Sequence, residues 1–186
     1  MIQTRKKGEG IMKNWNSLLI RHGFLLEEKS GGTFDCQRET RENLLFLQET
    51  LKDLFVDYSC SGNSLSISSP FISEGEWLEA VDLKDRGRTE LLQFGKGVQI
   101  PHLKDLDTYI AGVVRQLNRM NFNTKSCCDG HSMKYPRISF IEEVDFDKLR
   151  KVLNSAGITN IHVHKQTVIF KMSRHGLLDV AEHYPT

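Results

Sequence analysis

No run of apolar residues in this chain approaches the length needed to cross a bilayer, so a membrane-spanning helix is not expected. The basic start, with Arg5, Lys6 and Lys7, is not followed by the apolar core of a secretion signal. Cysteine is sparse as well: four in 186 residues, two of them adjacent, is not a disulfide framework, and a reducing cytoplasm with free or metal-bound thiols is expected. Charge of one sign is also lacking. The formal net charge is +1, which gives no general pull towards nucleic acid or anionic lipid, and no membrane partner is expected. That average hides a difference, because residues 1–92 carry a net −3 and residues 93–186 a net +4.

What is present is an ordinary globular composition, 39% apolar and 26% charged. The length suits one compact domain or two small ones. Residues 1–10 read as a polar, flexible tail. Ile11, Trp15, Leu18, Leu19 and Ile20 have helical spacing up to Gly23, and Phe24-Leu25-Leu26 begins a strand that returns through Ser30-Gly31-Gly32. A helix from about Glu39 follows, with Leu44, Leu47, Leu51, Leu54 and Phe55 on one face, then a hairpin turning at Ser61-Gly62-Asn63 and ending at Pro70. Residues 73–104 read as a connector: a short helix around Trp77, a charged stretch over 82–90, and a loop at Gly95-Lys96-Gly97 before Pro101.

The second half repeats the order. Asp107 is placed to cap a helix carrying Ile110, Val113, Val114, Leu117 and Met120. Residues 122–127 and 137–141 form a hairpin, Asp145 caps a further helix, 158–164 and 167–172 form the last hairpin, and 173–184 a closing helix. The fold class is therefore α+β, with two similar helix-hairpin-helix-hairpin halves (11–72 and 105–186) and antiparallel sheets. Leu19, Arg21 and Phe24 match Leu117, Arg119 and Phe122 at an offset of 98, as an internal duplication would produce. The element order resembles the LAGLIDADG homing-endonuclease fold, which the resemblance links to DNA binding and to metal-holding acidic residues at the paired helix ends. Here those ends read Arg21-His22-Gly23-Phe24 and Arg119-Met120-Asn121-Phe122, with no carboxylate, so the activity does not carry over.

Chemistry concentrates in Ser126-Cys127-Cys128-Asp129-Gly130-His131-Ser132. Cys128 and His131 have a Cys-x-x-His spacing that lets a thiolate and an imidazole share an ion across a tight turn. His162 and His164 alternate on a strand and so share one face. The expected metal ligands are Cys128, His131, His162 and His164, with Asp129 as catalytic acid/base or as an orienting partner. Mixed sulfur and nitrogen donors favour zinc over calcium or magnesium. This set matters only if the last hairpin brings His162 and His164 to the loop. The expected function is a zinc-dependent hydrolase of an anionic substrate, a nucleotide or nucleic-acid phosphate. The alternative is a non-catalytic nucleic-acid- or nucleotide-binding protein in which the loop is structural, using cations such as Lys134, Lys171 and Arg174 with Tyr135 for stacking. A thiol nucleophile at Cys127 or Cys128 is a third reading, with no orienting group to support it. In the blandest reading, the thiols are small core residues and the histidines face solvent.

Overall fold

In the computed structural model, the described residues are 11–82 and 102–183. The expected tail at 1–10, most of the charged stretch, the Gly95-Lys96-Gly97 loop, Pro101 and Tyr184 lie outside them. The protein is a mixed α+β structure with three antiparallel sheets and six α-helices among the described residues.

The chain enters through β1 (Met12–Asn14) and α1 (Trp15–Arg21). Asn14 starts α1 by accepting the Ser17 N–H at 2.8 Å, so Ile11 is not helical and stands exposed beside β1. The first large sheet comprises β2 (Glu27–Ser30), β3 (Thr33–Asp35), β4 (Tyr58–Ser61) and β5 (Ser64–Ile67), in the order β2-β3-β5-β4. Phe24, Leu25 and Leu26 precede β2 rather than form it; Phe24 and Leu26 are core residues and leave the ladder to the polar Glu27–Ser30. Between the hairpins runs α2 (Arg41–Asp53), capped by Thr40, which accepts the Asn43 N–H. β6 (Phe71–Ser73) pairs with β1 and leads into α3 (Glu74–Asp82). Of the span read as a connector, 74–82 is thus a packed helix, whose Trp77 is fully buried edge-on to Trp15 and Phe24.

The second half begins with a 3-10 turn (Leu103–Asp105) and α4 (Ala111–Arg119). The second large sheet is β7 (Thr124–Cys128), β8 (Arg137–Phe140), β9 (Ile161–His164) and β10 (Thr167–Phe170), in the order β7-β8-β10-β9. α5 (Phe146–Ser155) links its hairpins and is capped by Asp145, and α6 (Arg174–Val180) ends in a 3-10 turn (Ala181–His183). The two large sheets thus have corresponding strand orders.

One continuous apolar core joins both halves, running from Trp15, Leu18 and Phe34 through Val113, Val114 and Leu117 to Ile138, Val168 and Phe170. Burial of this kind contributes about 1.5–3 kcal/mol per large side chain. α4 crosses α1 at Gly112, where a Cβ would sit 2.2 Å from the Arg21 carbonyl oxygen, so only glycine permits the approach.

Candidate metal centre

The Cys-Cys-Asp-Gly-His stretch ends β7 and turns away from the sheet. In the first sheet the corresponding hairpin turns through Gly31 and Gly32 alone, whereas here residues 129–136 separate β7 from β8. The extra length forms a compact loop. Gly130, His131 and Ser132 all have positive φ (+83°, +46° and +61°), and the Gly130 carbonyl accepts from Met133 N and Lys134 N at 2.9 and 3.0 Å. A Cβ on Gly130 would lie 2.0 Å from the Lys134 carbonyl oxygen, so glycine is required there. His131 and Ser132 hold a backbone conformation that side-chain-bearing residues rarely adopt, and the surrounding contacts must impose it.

Cys127 is 1% exposed and packs in the core. Cys128, Asp129 and His131 converge instead on Asp107, and these four residues each place one potential ligand atom within 4.8 Å of the others. The Asp107 carbonyl accepts from Ile110 N and Ala111 N, both at 3.1 Å, at the start of α4. Its carboxylate is therefore not the helix cap that sequence spacing suggests: it faces the loop and accepts the Asp129 N–H at 3.0 Å. His131 Nε2 lies 3.7 Å from Asp107 Oδ2, and its Nδ1 lies 3.3 Å from Asp129 Oδ1. Asp129 Oδ1 also accepts the His131 N–H at 2.7 Å, and Cys128 Sγ accepts from Gly130 N at 3.3 Å. Asp107 and Asp129 are nearly inaccessible, while His131 is about a third exposed and forms the open side.

Two buried carboxylates this close carry an electrostatic cost. Burial, joined by the repulsion of Asp129, pushes the Asp107 carboxyl above its ordinary range, although the Asp129 N–H pulls the other way. Burial also raises the Cys128 thiol. The nearest fixed cation is Arg174, whose Nη1 is 3.6 Å from Asp129 Oδ2 and whose guanidinium stacks 4.1 Å from the Tyr109 ring centre. Its Nε is buried without a hydrogen-bond partner among the described residues. Arg174 and Asp129 line a cavity of about 430 Å³ together with Ser132, Lys134 and Tyr135, so the cluster opens directly onto space for a ligand.

No protein family, curated protein or solved structure matches this chain. The likeness to the LAGLIDADG fold therefore remains one of element order, and the site must be read from its own geometry.

That geometry corrects the ligand set. His162 and His164 sit on β9, the edge strand opposite β7, with β8 and β10 between them and the loop. At about 4.8 Å per strand, three spacings put them some 14 Å away across the sheet. Their shared face is exposed, while Ile161 and Val163 turn to the core. The alternation was legible; the strand order that separates β9 from β7 was not. Asp107 was masked by a competing role, since an Asp at the start of an apolar helical stripe reads as a cap.

Proposed function

We propose that Asp107, Cys128 and His131 hold a zinc-class divalent ion and that the protein is a hydrolase of anionic substrates. The observation that supports this is the convergence of one thiol, one imidazole and two buried carboxylates at the mouth of a cavity. A tetrahedral ion with ligands at 2.0–2.3 Å would hold its donors about 3.3–3.8 Å apart, a small contraction from the present spacing. It would also relieve the repulsion between Asp107 and Asp129. Three protein ligands leave a fourth position for water, and the ion would lower that water's pKa and polarise the scissile group. Asp129, held by the His131 N–H and Arg174, would accept the proton of the attacking water and return it to the leaving group. Arg174 and Lys134, beside the cavity, bind the substrate's negative charge.

Metal analysis of the full chain from zinc-replete growth tests this. About one equivalent is expected, with occupancy falling roughly tenfold in Cys128→Ser and in Asp107→Asn. His162→Ala and His164→Ala should leave it unchanged. Occupancy below a tenth of an equivalent in the parent protein, or full retention in both ligand variants, overturns the reading. Asp129→Asn should keep the metal while phosphoester turnover drops about 100-fold or more.

A second reading, a nucleic-acid- or nucleotide-binding protein without turnover, is favoured by Tyr135, half exposed beneath Lys171 Nζ at 4.7 Å, an arrangement suited to stacking a base beside a phosphate. It predicts salt-sensitive oligonucleotide binding and no hydrolysis. We also infer that the two halves arose by duplication. Supporting this are the corresponding strand orders and the matched helix ends, where Phe24 N donates to the Leu19 carbonyl at 2.9 Å and Phe122 N to the Leu117 carbonyl at 3.0 Å.

A further inference from the structure

A second cavity, about 480 Å³, lies away from the Cys/His loop, where the C-terminal end of α4 meets the first sheet. Asp107 precedes α4 and Gln116 and Arg119 lie in its last turns; at 1.5 Å per residue the two sites occupy opposite ends of the helix.

Gln116 is 6% exposed, lines this cavity, and its amide oxygen has no hydrogen-bond partner among the described residues. An unpaired buried carboxamide costs about 1–3 kcal/mol, a cost that a ligand able to pair with it would remove. Beside it the half-buried Ile20 and Leu25 provide an apolar wall, backed by the buried Phe24 and Leu26. That wall is held from behind, because Arg115 donates to the Gly23 carbonyl at 3.1 Å and to Glu39 at 2.7 Å, and Glu39 accepts the Leu25 N–H at 2.8 Å. The charged residues lining the cavity, three cations and three carboxylates, are unevenly paired. Lys29 pairs with Glu27 at 2.8 Å and approaches Asp35 at 3.8 Å, and Glu182 is engaged by Ser17 and by Arg21. Arg38 and Arg119 have no carboxylate partner among the described residues, so two cations remain for an incoming anion.

We propose that this cavity binds an adenine nucleoside monophosphate. The glutamine carboxamide, one donor beside one acceptor, is the complement of the adenine edge. The apolar wall takes the ring face, and Arg38 and Arg119 take the phosphate. The assignment is independent of the metal reading.

The test is titration of the full chain with AMP at low salt in the presence of EDTA, followed by calorimetry and by amide chemical shifts. Saturable binding is expected, with shifts concentrated at residues 24–29, 37–38 and 116–119. Arg119→Ala, an exposed position that does not endanger folding, should weaken AMP roughly tenfold. Gln116→Leu should weaken it similarly and erase the preference for AMP over CMP. The proposal is overturned by absence of saturation at millimolar AMP, by undiminished affinity in Arg119→Ala, by inorganic phosphate binding as tightly as AMP, or by shifts confined to 129–135. Because EDTA strips the metal centre, failure here leaves the hydrolase reading standing, and success does not support it.

Discussion

Four cysteines of one chemistry have three different environments. Cys60 is exposed, Cys36 and Cys127 are buried, and Cys128 is buried at the loop. Burial drives the Cys36 thiol up to about 11 and pushes Cys127 higher still, so neither is a thiolate near neutrality. A thiol reagent at pH 8 should therefore modify Cys60 within the fast phase, and Cys60→Ser should remove that phase. Fast reaction of two or more thiols in the folded protein would contradict the burial. At Gly130 the argument is steric. Gly130→Ala must move the Lys134 carbonyl or abandon a positive φ; under the proposed metal site it should lower occupancy at least tenfold while thermal unfolding of the rest shifts little.

At the scale of elements, α4 carries the most. Its apolar face (Val113, Val114, Leu117) is fully buried, its start places Asp107, and its end places Gln116 and Arg119. Gly112→Ala would drive a methyl into the Arg21 carbonyl and against Ala181, forcing α1 and α4 apart. A loss of about 1–3 kcal/mol or more is expected, read as a lower urea midpoint. β9 shows the opposite case. An edge strand with outward histidines has little to lose, so His162→Ala should cost less than about 0.5 kcal/mol.

Across the whole molecule, two ionic contacts tie the halves together: Arg115–Glu39, which is buried, and Arg21–Asp179, whose carboxylate is exposed. Arg115 of α4 meets Glu39, ahead of α2, with both side chains 1% exposed or less. Glu39 also accepts from Asn43 Nδ2 and from the Leu25 and Thr40 N–H groups, so its charge is fully solvated by the protein. Arg115→Met would strand that carboxylate, at a cost of about 3–5 kcal/mol. Arg21 of α1 similarly joins Glu74 of α3 and Asp179 of α6 at 2.8 and 2.6 Å. Burial opposes ionisation of Glu74, but hydrogen bonds and charge from His22 and Arg21 prevail and hold its carboxyl at about 2 instead of 4.5. Because the folded value is the lower one, Glu74 stabilises the protein above pH 4.5 and that contribution, on the order of 3 kcal/mol, fades as pH falls towards 2. The stability gap between parent and Glu74→Gln should therefore be wide at pH 6 and narrow at pH 3; a constant gap would refute the assignment.

The sequence by itself determined the local grammar. Helical spacing, caps such as Asp145 and turn glycines are properties of neighbouring residues, so the α+β class, both sets of hairpins and the burial of Cys127 were readable from the chain. The loop at 127–131 stood out for the same reason, since its reactive groups are adjacent in sequence. Strand order is a long-range choice made by packing, and it alone decided that β10 lies between β8 and β9, which removes His162 and His164 from the loop. Tertiary packing likewise turned the Asp107 carboxylate from cap to cluster. The cluster needs groups twenty residues apart to meet, and only the folded chain brings Asp107 to Cys128, Asp129 and His131.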